Sequence, residues 1–215
     1  GQFLPIQLAD LSEDQAKARE DILRLLKEGE PLVTLGGYAG TGKTTLLSRC
    51  LERAGADERI AVIEETKEID VNHPHVLYLE GRPPTPEGVG EISLRVLLKN
   101  ALRMRPDRIV VGECRGEEAF DMLQAVNTGH KGSFGTIHAS GALDALKRFE
   151  SLALLSGIQI PHHVVREWIG TNIQIVVFLE KNAGIRQIRE ILTLHGLEGD
   201  RYRVTPMHHK ILKGN

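Results

Sequence analysis

Three groups of residues in this chain have types and spacing that suit chemistry. The stretch "GYAGTGKTT", Gly37 to Thr45, fits GxxxxGK(S/T) with Gly37, Gly42, Lys43 and Thr44. Its glycines let successive backbone N–H groups turn inward, so Gly37, Tyr38, Ala39, Gly40, Thr41 and Gly42 form a cradle for phosphate oxygens. Lys43, on a loop expected to be open to solvent, brings a mobile charge to the terminal phosphates. The Thr44 hydroxyl suits Mg2+, and Thr45 continues into a helix whose positive end faces the same anion. ATP with Mg2+ is the expected ligand. The second group is acidic: Glu64 and Glu65 after "IAVI", and Glu113 after "IVVG". Each follows an apolar run that reads as a buried strand, which puts the acids at the carboxyl end of a sheet, where such sheets bind ligands. Acids there hold Mg2+ or orient water, and Glu113 joins Thr44 as a metal residue. The third group is the pair His130 and His138 in "TGHKGSFGTIHAS". No third ligand of matching spacing lies nearby, so a metal site is disfavoured.

The elements that must position these groups alternate between strand and helix. "LSEDQAKAREDILRLLKEGEP" reads as a helix with Ser12 as N-cap and Gln15 completing a capping box. "LVTLG" (32–36) is a buried strand, and "KTTLLSRCLERAG" a helix closing at Gly55. "RIAVIEE" (59–65) is a second strand, "SLRVLLKNALRMRP" (93–106) a helix stopped by Pro106, and "DRIVVGE" (107–113) a third strand. "GEEAFDMLQAVNTG" is another helix, and "GSFGTIHAS" a fourth strand with its exit loop. Such alternation predicts an α/β fold with a mostly parallel sheet covered on both faces. "NIQIVVFLEK", "GIRQIREILTL" and "DRYRVTPMH" read as successive strands, with tight turns at Asn182–Gly184 and Glu198–Asp200. They predict an antiparallel C-terminal extension. The expected division is an N-terminal helical segment (1–31), a P-loop core (32–160), and a C-terminal helix with antiparallel strands (161–215).

Composition narrows the classes. A formal net charge of −2 gives no global pull toward nucleic acid. No apolar run approaches the length that spans a bilayer, and "GQFLPIQLAD" lacks the basic head and apolar centre of a signal peptide. Cys50 and Cys114 form no CxxC pair and read as reduced thiols of a cytoplasmic protein.

From Arg59 to about Gly157 the chain closely resembles the secretion-ATPase superfamily, the motors of type II and type IV secretion and of type IV pili. The resemblance is nearest to the tight-adherence (Flp-type) pilus branch. It rests on "RIAVIEETKEI", "PHVLYLEGRPPTPEGVGEISLRVLLKNALRMRPDRIVVGECRG", "EEAFDMLQAVNTGHKGSFGTIHAS" and "DALKRFESL". Four boxes fall in order: the P-loop, an acidic box at Glu64–Glu65, a Walker-B-like box at Gly112–Glu113, and a histidine box ending at His138. The resemblance implies a RecA-like ATPase core and places His138 by the terminal phosphate as a sensor of nucleotide state. His130 reads as structural. It also singles out Arg103, with Arg105 beside it, and Arg115 as groups that answer charge on the phosphates. Arg82, on a Pro-rich loop, would reach a neighbouring subunit. The implied partners are further copies of the chain in a hexameric ring and a membrane-embedded secretion or pilus platform, at the cytoplasmic face of the inner membrane.

Three departures accompany the resemblance. The second acidic position is Glu65, where the family usually has aspartate. The residues before Gly37 are too few for the family's N-terminal domain, as in an excised motor domain or a shortened relative. The front end, "LSEDQAKAREDILRLLKEGEPLVTLGGYAGTGKTTLL", is similar to superfamily 1 helicases, in which a glutamine at the place of Gln15 reads the adenine edge; its capping-box role is the alternative. The two resemblances leave a composite chain open. Downstream helicase motifs and aromatic strand-binding loops are absent, at 4% aromatic content, so no nucleic-acid partner is expected. Two other readings remain: a helicase-like DNA-dependent ATPase, and a non-hydrolysing assembly module.

Overall fold

A computed structural model describes residues 32–130 and 132–209, together with Glu20 and Ile22. The expected opening helix, with Ser12 and Gln15, lies outside the described residues apart from Glu20 and Ile22, both helical. The strands are β1 (Leu32–Gly37), β2 (Ile60–Glu64), β3 (Val76–Glu80), β4 (Arg108–Val111), β5 (Phe134–Ile137), β6 (Ile173–Asn182), β7 (Ile185–Glu198) and β8 (Arg201–His209). The helices are α1 (Lys43–Leu51), α2 (Leu94–Arg103), α3 (Glu118–Asn127), α4 (Ala142–Leu154) and α5 (His162–Asn172). The eight strands of the described residues form one sheet in the order β3-β2-β4-β5-β1-β6-β7-β8.

The apolar runs explain the layers. Every residue of β2 is buried, as expected of a parallel strand covered on both faces. Successive residues face opposite ways, so Ala61 and Ile63 join one core while Ile60 and Val62 join the other. The first core is closed by α2 to α5 through Leu98, Phe120, Leu146, Phe149 and Ile169. The second is closed by α1 through Leu47 and Leu51, with Ile22 among them. Cys114 belongs to the first core and Cys50 to the second, so the sheet separates the two buried thiols. Helix α2 starts where the Ser93 side chain accepts the Val96 N–H and buries Leu94, Leu97, Leu98 and Ala101.

Two strands depart from the sequence expectation. Among the described residues β3 pairs only with β2, in parallel, at the sheet edge. Its half-buried residues carry a weaker pattern than the central runs. β6 was expected to open the antiparallel extension. Instead it pairs in parallel with β1, placing Leu179 opposite Gly37, and the reversal begins at β7. Its run "IQIVVFL" suits a central strand, but the neighbour it chooses is a long-range matter. β6, β7 and β8 therefore continue the same sheet as β1 to β5. The two expected tight turns are present: Ala183 (φ 47) and Gly184 (φ 84) join β6 to β7, and Gly199 (φ 58) lies between β7 and β8. Positive φ at both central residues is the geometry that matches strand twist in a two-residue hairpin.

Candidate functional site

The P-loop leaves the carboxyl end of β1 and enters α1. Its shape depends on backbone that only glycine adopts freely. A Cβ on Gly37 (φ 147) would lie 2.5 Å from the Leu179 carbonyl oxygen, and Gly42 (φ 93) stands at the helix start. Lys43 is buried, at 9% exposure, contrary to the solvent-open expectation. Its ammonium donates to the Gly37 carbonyl at 2.6 Å and the Tyr38 carbonyl at 2.9 Å. Burial lowers its pKa, against the opposing pull of Glu113 and Glu68. Thr41 Oγ1 also donates to the Tyr38 carbonyl, at 2.9 Å.

Sheet order brings the other groups to this loop. β5 lies between β1 and β4, so the residue leaving β5, His138, stands between the P-loop and Glu113. Glu113 Oε1 lies 2.6 Å from His138 Nε2. That oxygen is fully covered and has no aligned hydrogen-bond donor. The Arg115 guanidinium donates to Glu113 Oε2 at 2.7 Å and to Glu65 Oε2 at 2.9 Å. Those bonds and charges raise the Arg115 pKa, Glu113 foremost. The turn that aims Arg115 is held by Glu118, whose Oε1 accepts the N–H groups of Arg115 and Gly116. The Cys114 N–H donates to the Thr136 carbonyl at 2.8 Å, fastening the β4 exit to β5.

Glu64 and Glu65 part company. Glu64 is buried and spends its carboxylate on the backbone N–H groups of Glu68 and Ile69, at 3.1 to 3.2 Å. Burial raises its pKa, partly offset by those bonds. A Cβ on Gly112 would come within 2.6 Å of Glu64 Cγ, so glycine there leaves room for the Glu64 stem. Glu65 is exposed and reaches the site through Arg115.

Together these surfaces enclose a cleft of about 440 Å³, within the range typical of ligand sites. It is lined by Ala39 to Thr45, Glu64, Glu65, Thr66, Glu68, Gly112, Glu113, Arg115, Thr136, His138 and Arg186. Gly37 and Tyr38 contribute the carbonyls that hold Lys43. One sequence candidate among the described residues does not line it. Arg103 is exposed in the last turn of α2, just before β4 begins, and so lies toward the amino end of a sheet whose cleft is at the carboxyl end. Within its own chain Arg103 is therefore removed from the site, a correction set by the direction of the helix. Gln15 lies outside the described residues. His130 sits before β5 and His138 after it, so the strand holds the two rings at opposite ends. Among the described residues no three His, Cys, Asp or Glu could hold a metal together. Arg186, Glu68, Thr66 and Thr136 were not singled out by sequence. Arg186 stands 146 positions from its contact Gly40, and no local spacing signals it.

With this geometry in view, a family profile described as "Type II/IV secretion system protein" matches residues 3–177. The chain belongs to that family. The match runs through the front segment as well as the P-loop core. The type IV secretion system protein PtlH of Bordetella pertussis is 35% identical over 188 residues, covering 85% of this chain and 55% of that protein. Among solved structures, the VirB11 ATPase of the Brucella suis type IV secretion system superposes with a TM-score of 0.73 at 27% identity, covering 83% of this chain and 52% of that one. The pilus retraction motor PilT with bound ADP gives a TM-score of 0.63 at 26% identity, covering 81% of this chain and 50% of that one. The RecA-like expectation thus holds at the level of fold. The chain spans about half the length of the curated relatives it matches. No described helix is long and apolar enough to cross a membrane.

Proposed function

We propose that this chain is an ATP-hydrolysing motor domain of a secretion or pilus-assembly machine. The observation that carries the reading is the row Glu65–Arg115–Glu113–His138, which ends in the same cleft as the P-loop lysine. The residues present fit ATP and Mg2+. The loop is a backbone cradle with positive φ at Gly37, Gly40 and Gly42, and the covered Glu113 Oε1 lacks an aligned donor. Hydroxyl and carboxylate oxygens suit a hard cation, and Thr44 and Glu113 would hold it. Bound Mg2+ would neutralise charge on the phosphate oxygens.

The chain's own residues then divide the work. Lys43 exchanges its carbonyl partners for phosphate oxygens, which are stronger acceptors because they are charged. Glu113 orients the attacking water and takes up its proton. Arg115 fixes the Glu113 carboxylate in place, and Glu65 acts on the site through Arg115. Glu64 shapes the floor by fixing the turn at 68–69. His138 carries a neutral ring at pH 7, because its pKa lies below the ordinary value. Burial is the main cause; Lys43, Arg115 and Arg148 add to it and Glu113 opposes. The neutral ring has one N–H to offer a terminal phosphate oxygen.

By family membership, the partners are further copies of the chain in a ring and a membrane-embedded platform, at the cytoplasmic face of the inner membrane. In such a ring Arg103 acts on a neighbour's cleft. The test is phosphate release from ATP with Mg2+, measured with and without DNA. Steady release indifferent to DNA supports the motor reading. DNA-stimulated release points to a translocase, and bound ATP that persists points to an assembly module.

His138 supplies a sharper check. His138→Ala is expected to bind ADP nearly as wild type and to lose ATP-over-ADP preference by about one hydrogen bond to a charged group, on the order of 1.5–3 kcal/mol. Nucleotide titrations that show an unchanged preference return His138 to a packing role. The ring should titrate with a midpoint below about 6.5, the ordinary histidine value. In Glu113→Gln the midpoint should fall further, because the group that favours the charged ring is gone. As pH falls below about 6.5, the unfolded chain binds this proton before the folded one. The ring's contribution to stability is therefore full above that pH and declines as pH drops through the folded value. Ring NMR across pH reads both shifts.

A further inference from the structure

One arginine in the cleft comes from near the end of the chain. β6 runs beside β1 with Leu179 opposite Gly37, then continues through Glu180, Lys181 and Asn182 before it turns. The β6–β7 hairpin therefore rises past the carboxyl edge of the sheet, beside the P-loop. On the returning strand Arg186 lies opposite Lys181. Its Nε donates to the Gly40 carbonyl at 3.1 Å. A Cβ on Gly42 would come within 3.3 Å of its Cδ, and the side chain lines the same cleft as Lys43 and Thr45.

Sheet order decides which part of a nucleotide this arginine meets. Glu65, Glu113 and Arg115 follow β2 and β4, on one side of β1; the hairpin stands on the other. The terminal phosphate belongs on the side of Glu113 and His138. The nucleoside must then leave the P-loop on the hairpin side. The Gly37 and Tyr38 carbonyls face Lys43, whereas the Gly40 carbonyl is taken by Arg186. The Gly40 contact thus holds the guanidinium at the hairpin side of the loop, away from Glu113 and His138. A guanidinium is planar, rich in donors, and stacks on flat rings.

We propose that Arg186 is a specificity-determining residue that contacts the ribose and base of the bound nucleotide while its Nε braces the P-loop at Gly40. The inference rests on the nucleotide-binding reading above. It makes the β6–β7 hairpin a wall that registers the nucleoside whether or not the γ-phosphate is present.

The test compares wild type with Arg186→Gln and Arg186→Lys, titrated calorimetrically with ATP, ADP and inorganic tripolyphosphate in the presence of Mg2+. Arg186→Lys keeps a charge and a donor for Gly40 but loses the plane. Both variants should lose about tenfold in affinity for ATP and for ADP alike, as expected for one stacked or hydrogen-bonded contact. Tripolyphosphate binding should stay within about threefold of wild type. A parallel loss for tripolyphosphate would show that Arg186 only braces the loop and would overturn the proposal. A loss confined to ATP would move Arg186 to the γ-phosphate and overturn it equally. If wild type binds ATP and tripolyphosphate and neither variant changes, the hairpin's role fails alone. A wild type that binds neither ligand fails the nucleotide reading itself.

Discussion

Glu113→Gln is expected to leave ATP bound and bring its hydrolysis nearly to a halt. The substitution keeps the size and reach of the side chain. It removes the charge proposed to orient water and accept its proton, a contribution of about 10² to 10⁴ in rate for a positioned acid–base group. Two local facts sharpen the expectation. Arg115 bridges Glu113 and Glu65, so loss of the Glu113 charge leaves Arg115 with Glu65 as its remaining carboxylate partner in that row. The Glu113 oxygen beside His138 is covered and lacks an aligned donor, which places it among the atoms poised for a ligand. ATP affinity should change by less than about threefold, because the glutamine amide keeps an oxygen for the cation while Lys43 and the loop N–H groups still hold the phosphates. The check is calorimetric affinity paired with single-turnover phosphate release. Unchanged turnover would shift the catalytic burden to Glu64 or Glu65. Glu64 is the weaker candidate of the two, since its carboxylate already holds two backbone N–H groups.

Lys43→Ala should act one step earlier and remove ATP binding. The lysine is the proposed phosphate-binding cation of the P-loop, and charge-assisted bonds of that kind are worth about 1.5–3 kcal/mol each. A fall in affinity of about 10² or more follows if two such bonds form. The folded chain should survive with a small loss of stability. Lys43 spans the loop to the Gly37 and Tyr38 carbonyls, so alanine leaves those oxygens without this donor while relieving a buried charge. Calorimetry with ATP reads the first effect, and thermal unfolding of the ligand-free protein reads the second. Equal ATP affinity in variant and wild type would remove the P-loop assignment.

What the sequence determined by itself is what depends on short stretches of chain. The spacing Gly37–Gly42–Lys43–Thr44 fixes the P-loop's shape, because loop shape follows from which residues tolerate positive φ. The runs "IAVI" and "IVV" identify central strands, and a strand's direction places the acids after it at one edge of the sheet. The turns at Ala183–Gly184 and Gly199 are also local, and they lie where residue types predict them. Long-range pairing was decided only by the tertiary structure. Nothing within "GTIHAS" says that β5 inserts between β1 and β4, yet that insertion alone sets His138 against Glu113. Nothing within "NIQIVVFLEK" says that β6 lies beside the P-loop strand, and that choice brings Arg186 to Gly40. The same holds for Arg103, whose family motif is local but whose distance from the cleft follows from the direction of α2 across the sheet. A strand finds its neighbour through the burial of two faces at once, and that burial is a property of the whole sheet.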